Sequence, residues 1–479
     1  MLKISRIFIL FFISVNLCAS EAKLLGNARL DSLMGLTEDV GRLAERVSPG
    51  SSLMLVMGLT ALTFDNKYKN FDLTAPISLY LYSVEGDNKE STEEWCVVFK
   101  KKGETLAKSI NYGNETAFVR EINGSAVFSF SKKLIDSISS LPECKDEKKQ
   151  LFISLSVAEY LKCCKSTFPE LKKELMKSLL NSRSVPENTD ISSLKSFQIK
   201  LDYAEAALRQ VERLNISLSF TQDGISMKLL LKPSKNSALE KFVSVQHSHD
   251  KKIAPLFNEK MITASGSLAV TEEMRNGLMS MIKDIALETA EDERRMEYSE
   301  LLSFAVKNSS GNFSYYSDLE GGLPLFYFKL FCAKPQLGDF MTRVSKYADM
   351  KTENSRLYKL YSFKAMGKPM SLFSYTGDND IVFLNGGIGT KDAMTLINEK
   401  CQLTELPGKY SGCSFILMDN SVCEAASEIV LFFRKDGIAA DVTVSSETVR
   451  NYIPEGLLKK ADKKGGKKRI RIKSGEFRD

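Results

Sequence analysis

Histidine is scarce in this sequence: the 479 residues contain only His247 and His249. A site with three histidine ligands is therefore excluded, and a Ser-His-Asp or Cys-His nucleophile system would have to take its base from this one pair. Alternate residues of a strand face the same way and can share a metal ion. However, both histidines lie in the polar stretch Gln246 to Lys252. This composition favours a solvated linker between domains, and we predict no metal site there.

Long hydrophobic runs are absent as well. A transmembrane helix needs about 20 apolar residues, and the N-terminal run Ile7 to Val15 is shorter than that. It follows Lys3 and Arg6 and precedes the small residues Cys18 to Ser20, which is the three-part layout of a secretory signal peptide. We therefore predict a signal peptide over residues 1–20.

Removal of this segment would make Glu21 the first residue of the mature chain. Cys18 leaves a lipid anchor as an alternative, although the bulky Leu17 precedes it where lipoprotein processing requires a small side chain. We expect an exported protein, periplasmic or extracellular, that is not an integral membrane protein.

Acidic residues are nearly missing from the two ends of the chain, and this explains its formal net charge of +6. The first 20 residues carry two basic residues and no acid, and residues 459–479 carry ten basic and three acidic ones, so the body between them has a net charge of −3. We predict that the tail 459–479 is disordered. It either adds solubility or binds an anionic surface. No aromatic residue precedes Phe477 in the tail, so specific nucleic-acid binding is not predicted.

No two cysteines have the C-x-x-C spacing of a redox dithiol or a zinc knuckle. Eight cysteines follow the signal peptide, and an exported chain permits disulfides. The local pairings to consider are Cys144 with Cys163 or Cys164, and Cys401 with Cys413 or Cys423. Buried free thiols are an equally compatible alternative.

Two further patterns resemble functional sites, one a phosphate-binding loop and the other a pair of catalytic carboxylates, and neither is predicted to be one. The turn Asn385 to Lys391 follows an apolar strand and precedes a helical pattern, yet its glycines match neither phosphate-binding motif. The carboxylate clusters Glu93–Glu94 and Glu291–Glu293 lie in polar surroundings, which favours solvated surface charge over acid–base catalysis. We predict no catalytic, cofactor-binding or metal-binding residues and no cofactor.

An internal repeat is the most informative feature that is present. Asn215 to Ile225 and Glu428 to Ile438 both read as a strand, an Asp-Gly turn and a second strand. Glycine supplies the positive φ that a tight hairpin requires. A lone hairpin of this kind is common. The pair indicates a repeat because other elements recur in the same order before each hairpin.

The elements predicted before these hairpins alternate between strands and helices. In the first half they are a helix over 30–47, strands over 77–82 and 95–100, a helix over 103–110, a strand pair over 117–130 turning at Asn123-Gly124, a helix over 132–139 and a strand over 151–157. In the second half they are a helix over 272–286, strands over 312–316 and 325–331, a helix over 337–348, strands over 357–375 and 380–384, a helix over 391–399 and a strand over 413–418.

The first half is longer by an insertion of about 50 residues, a size that suits a helical hairpin. We place the insertion at about 158–214, with helices over 158–180 and 196–214. The fold class is therefore α+β with two repeated lobes, each a mainly antiparallel sheet with packed helices. Lobe 1 covers residues 21–255 and lobe 2 covers residues 256–458.

In this order of elements the chain resembles exported bacterial proteins of unknown function built from two divergent α+β repeats. The resemblance implies export and an envelope or extracellular setting, and it transfers no catalytic residues. Without a complete catalytic constellation, we expect a non-enzymatic binding or scaffold protein with an envelope or extracellular partner. The alternative is a hydrolase whose carboxylates line a cleft between the lobes.

Overall fold

The computed structural model describes most of the chain between residues 22 and 452. The described residues are 22–47, 52, 71–85, 91–103, 108–112, 115–142, 150–163, 169, 172–173, 191–254, 261–289, 299, 303–304, 306–318, 325–332, 345, 351–354, 358–365, 368–375, 380–385, 403–406, 408–419 and 427–452. All structural statements below refer to these residues.

The described strands are numbered in chain order. In the first half they are β1 (Lys23–Leu30), β2 (Ile77–Glu85), β3 (Ser91–Lys100), β4 (Ser109–Tyr112), β5 (Glu115–Ile122), β6 (Ser125–Ser129), β7 (Leu151–Leu155), β8 (Val211–Thr221) and β9 (Gly224–Pro233). In the second half they are β10 (Met261–Ser267), β11 (Ser309–Asp318), β12 (Leu325–Cys332), β13 (Lys351–Asn354), β14 (Tyr358–Ala365), β15 (Lys368–Tyr375), β16 (Asp380–Asn385), β17 (Phe415–Asp419), β18 (Ser427–Arg434) and β19 (Gly437–Ser445).

The described α-helices are fewer. They are α1 (Leu33–Val47), α2 (Lys132–Ser137), α3 (Val157–Cys163), α4 (Ile191–Leu208), α5 (Ala238–Ser248), α6 (Glu272–Thr289) and α7 (Ser446–Tyr452). A single 3-10 turn covers Gly408–Tyr410 among the described residues. With helices beside antiparallel sheet, the fold is α+β. No helix in the described part of the chain has both the length and the apolar composition needed to cross a membrane.

The chain forms two compact units, each assembled from separate stretches. Unit 1 consists of residues 1–153, 217–227 and 443–479, and unit 2 consists of residues 154–216 and 228–442. This partition by contact differs from a division into sequence halves. The predicted lobe boundary at 255/256 concerns the repeat and stays a prediction.

The sheet of unit 1 is antiparallel and runs in the order β4–β5–β6–β3–β2–β1. Both of its faces are buried, because alternate residues of a strand point to opposite sides. On one side Tyr80, Tyr82 and Val84 pack in a cluster that includes Leu134 of α2. On the other side Phe71, Leu73, Val119, Ala126 and Phe128 form a second cluster. These two layers account for the apolar runs in β2, β3 and β6.

Helix α7 packs against α1 in unit 1. Arg46, at the end of α1, binds two carboxylates: Asp223 at 3.0 Å and Glu447 at 3.5 Å. All three side chains are largely exposed, so solvent screens these ion pairs and their contribution to stability is small.

The sheet of unit 2 is antiparallel too. Its order is β13–β14–β15–β16–β12–β11–β10–β17–β18. Helix α5 packs against β18, and the rings of Phe242 and Phe433 meet edge to face at 5.3 Å between centroids. Helix α4 packs against α6, where the hydroxyl of Tyr203 donates to Asp284 at 2.9 Å.

The two Asp-Gly turns have the same geometry. Gly224 has a φ of 149° and Gly437 has a φ of 152°. A Cβ atom at position 224 would overlap the carbonyl oxygen of Val444 within unit 1, and a Cβ at position 437 would overlap the carbonyl oxygen of Leu231 within unit 2. Both turns therefore require glycine for conformation and for space.

Most of the elements predicted from sequence patterns are confirmed where the structure describes them. The turn Asn123-Gly124 joins β5 to β6 with positive φ at both residues, and both Asp-Gly hairpins form. The predicted helices over 337–348 and 391–399 lie outside the described residues apart from position 345.

Two predicted helices are wrong in part. The end of the predicted helix over 103–110 belongs to strand β4, where Ser109 pairs with Phe118 of β5. The predicted helix over 196–214 ends at Leu208, because Val211 is almost fully buried as the first residue of β8. Tertiary burial outweighs local helical periodicity at both places.

Candidate functional site

A cleft in unit 2 gathers several chemistry-bearing side chains. One wall is the segment that follows α5, residues 249–253, and the other is the segment 404–413 that precedes β17. The two walls are tied by an antiparallel bridge in which Ile253 and Thr404 exchange backbone hydrogen bonds of 3.0 and 3.2 Å. The bridge is a single residue pair, and Ile253 and the residues after Thr404 line the cleft.

The first wall is positioned by the end of α5. Ser237 caps the helix N-terminus by accepting the amide hydrogen of Glu240 at 3.0 Å. The side chain of Gln246 is buried and bonds Ala269 twice, donating to its carbonyl at 2.7 Å and accepting its N–H at 2.8 Å. Helix α5 ends at Ser248, and His249 continues in extended conformation.

The second wall is a glycine-containing turn. Gly408 and Gly412 have φ values of 65° and 71°, a conformation that L side chains rarely adopt. Ser411 donates its N–H to Gly408 at 3.0 Å, and Cys413 donates its N–H to Tyr410 at 3.1 Å. The turn thus places Tyr410 and Cys413 beside the cleft.

The cleft has a volume of about 250 Å³ and is lined by residues of both walls. The lining residues that carry polar or titratable side chains are His249, Asp250, Lys251, Glu405, Tyr410, Ser411 and Cys413. Ile253 and Leu406 supply its buried apolar floor.

Lys251 is the unusual cation of this cleft. Burial lowers the pKa of its ammonium group, and the only opposing influence is the thiol of Cys413. Within the described residues, no carboxylate pairs with it. The neighbouring Lys252, by contrast, lies 3.6 Å from Asp250, and both of these side chains are largely exposed.

His249 lies beside this lysine. Its Nε2 is 3.3 Å from the hydroxyl of Ser267, which is buried. Burial lowers the pKa of the imidazole, Asp250 opposes the shift, and the positive charge of Lys251 adds to it. The ring is therefore neutral at pH 7, and the hydroxyl of Ser267 holds it beside the cleft.

Tyr410 and Cys413 have limited reactivity. The hydroxyl of Tyr410 donates to Glu428 at 2.8 Å, and Lys409 binds the same carboxylate at 2.8 Å. Burial is the main cause that raises the pKa of Tyr410. Burial also raises the pKa of Cys413 to about 11, so this thiol is protonated at neutral pH and is a poor nucleophile.

The two histidines do not face a common point. The Nδ1 of His247 lies 3.2 Å from the carbonyl oxygen of Phe433, so this nitrogen carries the proton, whereas His249 contacts Ser267. No group of three or more possible metal ligands occurs in the described parts of the chain. The prediction of a solvated linker over 246–252 is wrong in part, because Gln246 to Ser248 end a packed helix and Gln246 is 1% exposed, whereas His247, Ser248, Asp250 and Lys252 are exposed.

The other candidates from the sequence are placed as follows. Glu94 is not a solvated surface charge: it is 7% exposed in β3, and burial raises its pKa while the hydroxyl of Ser131 opposes the shift by donating to it. Glu291, Asp292 and Glu293 lie outside the described residues, as does the turn 386–391.

The side chains of three cysteines are described, and each is a free thiol: Cys96 and Cys413 are buried and Cys163 is half-buried. The predicted pairings of Cys144 with Cys163 and of Cys401 with Cys413 are therefore wrong, and the alternatives Cys144 with Cys164 and Cys401 with Cys423 stay predictions. Cys144, Cys164, Cys401 and Cys423 lie outside the described residues, and Cys332 is the last residue of strand β12.

Sequence reasoning missed Lys251 as a site residue. Its polar neighbours Ser248, Asp250 and Lys252 suggested solvent on all sides. The burial of Lys251 comes from the bridge between Ile253 and Thr404, which no local pattern indicates. Comparison with known proteins found no matching family model, curated protein or solved structure.

Proposed function

We propose that this protein is an exported, non-enzymatic binding protein of the cell envelope or the extracellular space, built from two related α+β lobes, and that the cleft beside Lys251 is its ligand site. The observation that carries the binding role is a partly buried ammonium group that has no carboxylate partner among the described residues and lines an open cleft. A buried charge needs a partner, and a ligand supplies one.

The strand order supports two related lobes. In the first half β1 pairs with β2, β2 with β3, β3 with β6 and β6 with β5. In the second half β10 pairs with β11, β11 with β12, β12 with β16 and β16 with β15. Moreover, β1 pairs with β7 as β10 pairs with β17. The matching close approaches of Gly224 and Gly437 add to this correspondence.

The state of the cleft side chains supports binding over catalysis. The thiol of Cys413 is protonated, the hydroxyl of Tyr410 is engaged by Glu428, and Ser267 is buried beside His249. None of these groups is both activated and accessible, which nucleophilic catalysis requires. They instead provide hydrogen-bonding groups and a surface that fits a ligand.

The export part of the proposal is tested by expressing the full chain in a bacterium and sequencing the N-terminus of the product found outside the cytoplasm. We expect a mature chain that begins at Glu21. Leu10→Arg interrupts the apolar run and should keep the chain unprocessed in the cytoplasm. Cys18→Ser should be processed like the wild type, and a Cys18→Ser chain that loses processing would indicate a lipid anchor.

The binding part is tested on the mature chain with ¹³C-labelled isoleucine and leucine methyl groups. Ile253 and Leu406 line the cleft and report on its occupancy. The protein is titrated with a panel of small metabolites that includes neutral sugars, amino acids, carboxylates and phosphates. Saturable shifts of these two methyl groups support the proposed site, and a panel that leaves both unchanged contradicts it. Chemical turnover of any bound compound would contradict the non-enzymatic part.

A further inference from the structure

Among the described residues that line the cleft, Lys251 is the one lysine or arginine, and the ring of His249 lines the cleft with it. The ammonium of Lys251 lowers the pKa of the His249 ring, and burial disfavours the charged form of both side chains. A partly buried ammonium group with no carboxylate partner gains from an anionic ligand, because the ligand replaces the lost hydration of the charge.

The nearby carboxylates do not supply the negative charge that would pair with Lys251. Asp250 pairs with Lys252 at the surface, and Glu405 is exposed. Glu428 accepts from Lys409 and from Tyr410. Lys251 is therefore distinguished from Lys252 and Lys409, which both have a carboxylate within 4 Å.

The size of the cleft limits what it can hold. Its volume of about 250 Å³ is below that of drug-sized ligand pockets and corresponds to roughly eight water molecules. A phosphate ion or a short carboxylate fits within this volume together with water molecules. The polar lining and the small apolar floor of Ile253 and Leu406 fit a ligand with one charged group and a small body.

We propose that the cleft of unit 2 binds a small oxyanion, a phosphate or a carboxylate, through the ammonium of Lys251, with His249 as a second hydrogen-bonding contact. The inference rests on the proposed binding function and specifies its ligand class. Lys251 supplies charge, and the ring of His249, held by Ser267 at 3.3 Å, supplies orientation.

The test uses the mature full chain with labelled isoleucine and leucine methyl groups. Inorganic phosphate and acetate are titrated separately at constant ionic strength, with sodium chloride as the balancing salt. We expect a saturable shift of the Ile253 and Leu406 methyl groups with at least one of the two anions, at a Kd of about 1 mM or tighter. The anion that shifts them identifies which oxyanion chemistry the cleft prefers.

The matched pair of variants is Lys251→Met and Lys252→Met. Lys251→Met should weaken binding by about tenfold or more, whereas Lys252→Met should stay within about twofold of the wild type. Replacing a partly buried charge by methionine removes a desolvation penalty, so the first variant should fold. Lys251→Gln is the second variant, and the methyl spectrum away from the cleft verifies its fold.

The failures are distinguishable. If neutral compounds shift the two methyl groups and neither phosphate nor acetate does, the cleft is a binding site and the oxyanion inference is wrong. If both lysine variants bind an anion equally well, Lys251 is not the anion contact and the inference is wrong. If no compound of either kind shifts the two groups, the inference and the proposed function both fail.

Discussion

The hydroxyl of Ser131 hydrogen-bonds to the carboxylate of Glu94 and, through the same oxygen, accepts the amide hydrogen of Leu134 at 3.2 Å. One side chain thus caps helix α2 and satisfies a buried acid of β3. This arrangement lies in unit 1, close to Trp95, which is the single tryptophan of the chain. Tryptophan fluorescence therefore reports directly on the stability of this region.

Ser131→Ala removes the cap and the hydrogen bond to the acid together. We expect a loss of about 1–2 kcal/mol in the free energy of unfolding, measured by denaturant titration with Trp95 fluorescence. Ser140→Ala, at an exposed position after α2, is the control and should change the free energy by less than about 0.5 kcal/mol. Equal effects of the two variants would contradict the capping role.

Glu94 gives the stability a defined pH dependence. Burial raises its pKa above the ordinary value of 4.5 in the folded protein, so the folded state binds the proton more tightly than the unfolded state does. The resulting stabilisation is fully present below pH 4.5 and is lost as pH rises through the raised pKa.

Glu94→Gln keeps the shape of the side chain and removes this titration. The variant should gain stability relative to the wild type between pH 4 and pH 7, as measured by the difference in unfolding free energy at each pH. Glu115→Gln, at an exposed position of β5, should show no such trend. A flat difference for Glu94→Gln would mean that the acid is not protonated preferentially in the folded state.

Cys96 and Cys413 should resist alkylation in the native protein. Burial raises their pKa values to about 12 and about 11, so their thiolate fractions at pH 8 are about one in 10,000 and one in 1,000, against roughly a quarter for a free cysteine. Peptide mass spectrometry after iodoacetamide treatment should show Cys163 modified first among these three, since it is only half-buried. Native modification of Cys413 at the rate of Cys163 would contradict its burial.

The two hairpin glycines should respond alike to substitution. Gly224→Ala and Gly437→Ala each place a methyl group on a carbonyl oxygen at a φ near 150°. Each should lower the unfolding free energy by at least about 1 kcal/mol and by up to about 3 kcal/mol, measured by thermal and denaturant unfolding. Gly277→Ala, in α6 with open space at its Cβ position, should instead stabilise by about 0.5–1 kcal/mol.

Replacing Gln246 should lower the free energy of unfolding more than is usual for a polar side chain. Gln246→Ala leaves the N–H and the carbonyl of Ala269 without their present partners, and we expect a loss of about 1–3 kcal/mol. Val245→Ala, on the exposed neighbour at 37% exposure, should cost less than about 1 kcal/mol. Circular dichroism during thermal unfolding measures both.

Local chemistry predicted the parts of the fold that depend on neighbouring residues. The turns Asn123-Gly124, Asp223-Gly224 and Asp436-Gly437 form as expected, because positive φ is decided by the residues of the turn. Strand β4 and the start of β8 were not predicted, because pairing of Ser109 with Phe118 and burial of Val211 depend on distant segments.

The candidate site was less predictable than the fold for the same reason. His249 was recognised as chemically notable, but its contact with Ser267 and the burial of Lys251 follow from the packing of α5 and from the bridge to Thr404. A polar stretch looks the same in sequence whether its charges face solvent or a cleft.

The composition of unit 1 has a consequence for how the chain folds. Its stretches 1–153 and 443–479 lie at opposite ends of the sequence, and α7, which packs against α1, is the last of the described helices to be synthesised. Contacts of such large sequence separation form slowly. We expect the packing of unit 1 to be completed only after α7 has been synthesised, so a chain that is exported as proposed would still lack this packing while it crosses a membrane.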